Sequence, residues 1–294
     1  MKQPISLLFA LTILSCSVAG VDDIGQQHLT YYPDELRLSL EASEATRMEL
    51  LGGKTVWSEG DFVSVFYFSD ANQKWRYDGA TGERTGSFSI VESPEARRNT
   101  SSIVVLYPYD SRYDINSNSC NVGAMLPAVQ HYAEDSFGIG SSMMVARGNT
   151  SELKLRNVCG WLRLHITGNG QRVESICLRG NCAEQVAGRT FIYTVDATSQ
   201  LVTLPSSSDG EDGSVGGTLI FDGDIVEEVT LECGGVELSA EATTFYIALP
   251  PRSFEQGLTI DIKCADGRTV QKSTNQRVVI QRNHILPMAE FHIE

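Results

Sequence analysis

Apolar and polar residues alternate over short runs of this chain, and no stretch sustains the 3.6-residue apolar period of a helix. In "LRLSLEA" (36–42), Leu36, Leu38, Leu40 and Ala42 point one way and Arg37, Ser39 and Glu41 the other. That is the period-two signature of a strand with one buried face. The same alternation runs through "WLRLHITG" (161–168), "TFYIALPP" (244–251) and "LTIDIKCADG" (258–267). By contrast, "DFVSVFYF" (61–68) and "SIVVLYPY" (102–109) are apolar on both faces, as strands buried between two layers must be. Turn-formers separate the runs: "YDGATGE" (77–83), "SSSDGEDGSVGG" (206–217) and "FDGD" (221–224). Short strands at about ten-residue spacing with Gly and Asp turns predict an all-β fold of antiparallel sandwiches.

With 294 residues and 41% hydrophobic content the chain has material for more than one core. The polar stretch "ARGNTSE" (146–152) is the expected division, giving an N-terminal β-sandwich over 36–148 and a C-terminal one over 149–294.

Residues 1–15 have the parts of an export signal: Lys2 as the positive end, then an apolar run from Ile5 to Leu14 too short to span a bilayer. Two cuts compete. "SVAG" offers Ser17 and Ala19 to an ordinary signal peptidase, whereas "ILSC" places Cys16 where a lipoprotein signal puts its acylated cysteine, although Leu14 stands where a small residue is usual. On the lipoprotein reading Cys16 is the lipid attachment site, and 16–35 form a polar leash. Each buried methylene of an acyl chain contributes about 0.8 kcal/mol, so two or three chains anchor firmly where one does not. Setting Cys16 aside leaves Cys120, Cys159, Cys177, Cys182, Cys233 and Cys264. An even set suits disulfides in an oxidising compartment, with Cys177 and Cys182 in "CLRGNC" the one local pair; reduced, buried thiols are the other reading.

Acidic side chains number 37 against 23 basic ones, a formal net charge of −14, which makes nucleic acid and anionic membrane surfaces poor partners. Catalytic signatures are lacking: "GIGSS" (138–142) is not a nucleophile elbow, and no zinc-protease, phosphate-loop or dinucleotide motif occurs. No catalytic residue, metal or cofactor is therefore expected. His28, His131, His165, His284 and His292 lack ligand spacing, and "FDGDIVEE" (221–228) reads as an acidic turn or as calcium ligands Asp222, Asp224 and Glu228. Aromatic residues crowd the first half, namely Tyr31, Tyr32, Trp57, Trp75, Tyr77, Tyr107, Tyr109, Tyr113 and Tyr132. They are core residues or the stacking faces of a glycan-binding surface, with Trp75 the residue to test.

Several stretches together carry a resemblance: "TRMELLGGKTVWSEGDFVSVFYF" (46–68), "IVVLYPY" (103–109), "LPAVQHYAEDSFG" (126–138), "LRNVCGWLRLHITG" (155–168), "FYIALPPRSFEQGLTIDIKCADG" (245–267) and "VVIQRNHILPM" (278–288). In order and spacing the chain resembles the fimbrillin family of the type V pili of Bacteroidales, in its fimbrillin-like branch of cell-adhesion lipoproteins. The resemblance implies two transthyretin-like β-sandwich domains in tandem, a lipid-tethered precursor at the outer membrane, other pilus subunits as partners in a homo- or hetero-polymer, and a host or bacterial surface receptor. It also implies cleavage after a basic residue, with Arg47 and Arg37 the candidates, and assembly by donor-strand complementation. The carboxyl-terminal run "MAEFHIE" supplies a candidate donor through Ala289, Phe291 and Ile293, or else is the last strand of its own sandwich. The expected function is a non-enzymatic surface fimbrial subunit or adhesin; the alternative is a surface glycan-binding lipoprotein. The extra amino-terminal strand of stalk subunits has no convincing counterpart in 17–35.

Overall fold

The computed structural model describes residues 33–41, 56–67, 71–92, 103–116, 121–134, 136–138, 141, 143–193, 220–221 and 226–294. Among these the chain is all β. The first strands are β1 (Glu35–Leu40), β2 (Phe62–Tyr67), β3 (Gln73–Tyr77), β4 (Thr85–Glu92) and β5 (Ile103–Tyr107). There follow β6 (Asp114–Asn116), β7 (Asn121–Leu126), β8 (Val129–His131), β9 (Met144–Gly148) and β10 (Glu152–Asn157). The second half opens with β11 (Gly160–Thr167), β12 (Arg172–Gly180), β13 (Gly188–Tyr193), β14 (Ile220–Phe221), β15 (Glu228–Glu237) and β16 (Thr243–Leu249). It ends with β17 (Arg252–Phe254), β18 (Leu258–Cys264), β19 (Thr269–Thr274), β20 (Val278–Ile280), β21 (Ile285–Pro287) and β22 (Phe291–His292).

The first-half strands close on themselves in the order β1-β10-β9-β5-β2-β3-β4. Alternation decides what fills the ring. Val63, Val65, Tyr67, Ile103, Val105, Met144 and Ala146 point inward with Trp57, Trp75 and Phe88. Their neighbours Phe66, Val104, Leu106 and Val145 point outward, into a second apolar cluster shared with Val122 and Leu126 of β7, Ile192 of β13 and Trp161 of β11. Strands apolar on both faces thus serve as the wall between two cores.

The second half packs two sheets over a third core, β16-β11-β21 against β19-β18-β12-β15-β8, with β22 also on β11. Leu162, Leu164 and Ile166 of β11 meet Ile176 and Leu178 of β12 and Ile260 and Ile262 of β18 in one buried cluster.

The division expected after residue 148 falls between β9 and β10. β10 lies beyond it yet pairs with β1 and β9 inside the ring. β7 pairs with β13, and β8 runs parallel to β15, so first-half strands complete second-half sheets. The reason is edge satisfaction: an unpaired strand leaves its backbone groups to water or to another chain, and here β7 and β8 give second-half strands their partners. A wholly antiparallel ring is also not what forms. β1 is antiparallel to β4 but parallel to β10.

Candidate functional site

β1 is the stave that closes the ring, and its residues show how it is held. Leu36, Leu38 and Leu40 insert among Trp57, Tyr77, Phe88 and Leu155, while Glu35 and Arg37 face solvent. The register runs from Glu35↔Ser89 to Ser39↔Thr85 on one side and from Arg37↔Glu152 to Leu40↔Leu155 on the other. Further backbone bonds hold it: Arg37 N–H donates to the Ser151 carbonyl at 2.8 Å and, just past the strand, Glu41 N–H to the Leu155 carbonyl at 2.8 Å. Trp57 reaches across with its indole N–H to the Leu38 carbonyl at 3.4 Å, its ring edge-on to Phe88 with centroids 4.8 Å apart.

The far end of β1 is tied to the second half. One carboxylate oxygen of Glu41 accepts from the Asn157 backbone N–H at 3.0 Å and from the Arg282 guanidinium at 2.7 Å. Both side chains are largely covered, 14% exposed for Glu41 and 21% for Arg282. Beside them the Asn157 amide donates to the Asn283 side-chain carbonyl at 2.7 Å, and Asn283 adopts φ 61°, a left-handed turn position that asparagine tolerates. Alternation in the sequence correctly turns Glu41 away from the leucine face. It carries no signal of the partner, which lies 241 residues away.

Of the two candidate processing sites, Arg37 lies within β1, where its backbone is engaged on both sides. A protease needs an extended, unpaired segment, so cleavage there requires the ring to open first. Arg47 and Cys16 lie outside the described residues.

The carboxyl-terminal run is engaged within its own chain. β22 pairs with β11 through Ile166↔Phe291 and Thr167↔His292, and Ile293 N–H donates to the Thr167 carbonyl at 3.0 Å. Ile293 is buried in the second-half core, Phe291 is half-buried against it, and Ala289 is exposed. His292 bridges Thr167 Oγ1 at 3.1 Å and Asn169 Nδ2 at 3.3 Å. Service as a donor would require β22 to leave these partners.

The aromatic surface centred on Trp75 is overturned. Trp75 is 0% exposed inside the ring, its indole N–H donating to Gln73 Oε1 at 3.1 Å, and Trp57 and Tyr77 are buried beside it. Large aromatic groups at inward positions contribute most by filling the ring; alternation along β3 places Trp75 and Tyr77 there, and Trp57 enters from the segment before β2. Tyr31 and Tyr32 lie outside the described residues; Tyr107, Tyr109 and Tyr132 are half-buried and Tyr113 buried.

The local pair Cys177 and Cys182 is also corrected: Cys159, Cys177, Cys182, Cys233 and Cys264 are all free thiols, and Cys120 lies outside the described residues. "CLRGNC" continues β12 to Gly180 rather than turning at it, which carries Cys182 out to the surface. Burial pushes the thiols of Cys159 and Cys233 up to about 12. A maleimide probe on the folded protein is expected to label Cys182 within minutes and to spare Cys159 and Cys233 until denaturant is added; peptide mapping of the labelled chain checks it.

Asp222 and Asp224 lie outside the described residues, and Glu228 stands 3.9 Å from Arg179. Among the described residues no group of three or more His, Cys, Asp or Glu side chains converges to hold a metal. The polar contacts near β1 are structural ones. Asp61 accepts from Ser58 N–H at 2.8 Å and from the Tyr107 hydroxyl at 3.3 Å, and burial raises its pKa above the ordinary 3.8.

Compared with solved structures, the chain superposes on a candidate cell adhesion protein from Bacteroides ovatus with a TM-score of 0.50 at 11% identity, covering 89% of this chain and 92% of that one. The two share a fold. At that level the likeness agrees with the fimbrillin-like resemblance read from the sequence. Weaker superpositions include a second candidate cell adhesion protein, from Bacteroides uniformis (TM-score 0.43, 12% identity, 84% and 88% coverage). Another is the tip fimbrial protein Mfa3 from Porphyromonas gingivalis (TM-score 0.36, 12% identity, 86% and 94% coverage). No protein-family model and no curated protein matches the chain.

Proposed function

We propose that this chain is a non-enzymatic cell-surface fimbrial subunit or adhesin, exported as a lipoprotein through Cys16 and joined to other subunits by β-strand complementation. On this reading each half is a transthyretin-like sandwich, and β1 bridges the two edges of the first. The observation that carries it is β1 itself: a six-residue strand whose loss uncovers both an apolar groove and two unpaired sheet edges. Leu36, Leu38 and Leu40 contribute about 1.5–3 kcal/mol each when fully buried. A replacement strand with the same alternation recovers that energy and also the backbone ladder, which is how β-augmentation binds. The open edges of β4 and β10 are a template for such pairing.

Export as a lipoprotein places the subunit at the outer membrane, with its partners being other copies or other pilus subunits and a receptor on a host or bacterial surface. A six-residue filler whose side-chain tie to the second half is the Glu41–Arg282 contact at its end suits a part that is surrendered. Arg47 is the processing position this reading favours, because a cut there leaves β1 whole but no longer covalently joined to β2.

The test is direct. Full-length protein treated with a trypsin-like protease should show a new amino terminus after Arg47 by mass spectrometry, and then form rods under the electron microscope. Protein that stays monomeric after confirmed cleavage, with or without an added peptide spanning 288–294, rejects complementation. A native mature chain whose mass lacks acyl groups at Cys16 rejects the lipid anchor.

A further inference from the structure

Where the ring meets the second half, a cavity of about 400 Å³ opens among four backbone segments: the loop after β5, the link from β7 to β8, the start of β13, and Val226 ahead of β15. Small-molecule sites occupy about 300–1,000 Å³ and favour junctions between domains. Tyr109 and Tyr113 line one side; Leu126, Pro127 and Val129 line the other. Val129 is 49% exposed, an unusual position for a large hydrophobic residue in this chain.

The polar rim is one ion pair, with the Arg112 side chain 65% and the Asp110 side chain 21% exposed. The Arg112 guanidinium holds the Asp110 carboxylate through Nε, at 3.0 and 3.1 Å, and through Nη2 at 2.5 Å, while its backbone N–H donates to the same carboxylate at 2.9 Å. These bonds lower the Asp110 pKa below its ordinary value, so both partners carry charge at neutral pH and cancel. The loop is pinned to the ring. Tyr109 N–H donates to the Phe62 carbonyl at 2.9 Å, and Asn72 donates to the Asp110 carbonyl at 2.7 Å. The Lys74 ammonium stands 5.1 Å from the Tyr109 ring centroid. The site is therefore preformed, which lowers the ordering cost of binding.

The chemistry of the lining selects among ligands. A wholly apolar guest would strip water from the Asp110–Arg112 pair without replacing it, at a cost. An anionic guest would meet the Asp110 carboxylate in a chain of net charge −14; a cationic one would meet the Arg112 guanidinium and the Lys74 ammonium. A neutral molecule with an apolar face and adjacent hydroxyls meets both walls without breaking the pair. Its C–H face packs on aromatic and aliphatic groups while its hydroxyls donate to Asp110 and accept from Arg112.

We propose that this cavity binds a neutral sugar residue, with Tyr109, Leu126 and Val129 forming the apolar wall and the Asp110–Arg112 pair the polar one. The site does not depend on whether β1 is exchanged.

Mature full-length protein is screened on a glycan array and the hits are measured by calorimetry, beside Tyr109→Ala and Val129→Arg. The second substitution fills the mouth from an exposed position and removes nothing from a core. A neutral glycan is expected to bind, with about a tenfold or greater loss in Tyr109→Ala and no detectable binding in Val129→Arg. Circular dichroism spectra and thermal midpoints of Val129→Arg should match the unsubstituted protein. An array that is flat, binding confined to acidic glycans, capture of peptides alone, or binding that survives Val129→Arg each overturns the proposal. Val129→Arg protein should still assemble after cleavage, so failure of the sugar site and failure of strand complementation are read separately.

Discussion

Alanine at both Leu36 and Leu38 is expected to lower the unfolding free energy of the intact chain by about 4–8 kcal/mol, because each buried leucine truncation costs about 2–5 kcal/mol and adjacent sites are not strictly additive. The two side chains are wholly buried among Trp57, Trp75 and Phe88, so the loss registers in tryptophan fluorescence during urea unfolding. Amide exchange adds spatial resolution. Protection should fall first in β4 and β10, whose outer backbone groups pair with β1. The same variant separates a structural strand from an exchangeable one. If β1 is displaced during assembly, weakening its hold lowers the barrier to displacement, and cleaved Leu36→Ala/Leu38→Ala protein should form polymer faster than the unsubstituted subunit. A large stability loss with an unchanged assembly rate would show that β1 stays in place and that subunits join elsewhere.

Particular residues show what the sequence could and could not tell. The alternation of 36–42 names the buried leucines correctly, since period two is a property of the backbone and needs no knowledge of neighbours. The doubly apolar runs around Val63 and Val104 likewise announce two buried faces. What packs against those faces is not encoded locally: β10 pairs with β1 across more than a hundred residues, and nothing in "ELKLRN" distinguishes a stave of the first ring from a strand of the second half. Parallel pairing is silent for the same reason, because a strand's own residues do not record its neighbour's direction. Composition leaves Trp75 either a core residue or a stacking surface, and its place in "QKWRY" opposite Val63 puts it inside. The cavity beside Tyr109 was partly legible as an aromatic-rich region. Its selection required the fold, which buries Trp57, Trp75, Tyr77 and Tyr113 and leaves Tyr109 half-buried at the cavity.

Gln130 is the residue whose role was least visible and whose replacement has the second large expected effect. It is 2% exposed on β8, and its side-chain amide works as a piece of strand: Nε2 donates to the Ala248 carbonyl at 2.8 Å while Oε1 accepts from the Ala248 N–H at 2.9 Å. β16 is the last strand of its sheet, so Ala248 needs such a partner on its outward side. Through this one side chain, β8 of the opposite sheet closes that edge. Gln130→Leu keeps the volume but strands both backbone groups away from water, at about 1–3 kcal/mol each, so the expected loss is about 2–6 kcal/mol. Gln130→Glu keeps the acceptor for the Ala248 N–H yet sets a carboxylate against the carbonyl, and should be at least as harmful at neutral pH as leucine. Below pH 4 it should recover part of the difference, because a protonated acid donates to the carbonyl once more. Chemical denaturation of both variants across that pH range, with exchange at the Ala248 amide, decides the matter. A Gln130→Leu loss below about 1 kcal/mol would mean that water or a shifted side chain serves Ala248 instead, and that the two sheets are joined by apolar packing alone.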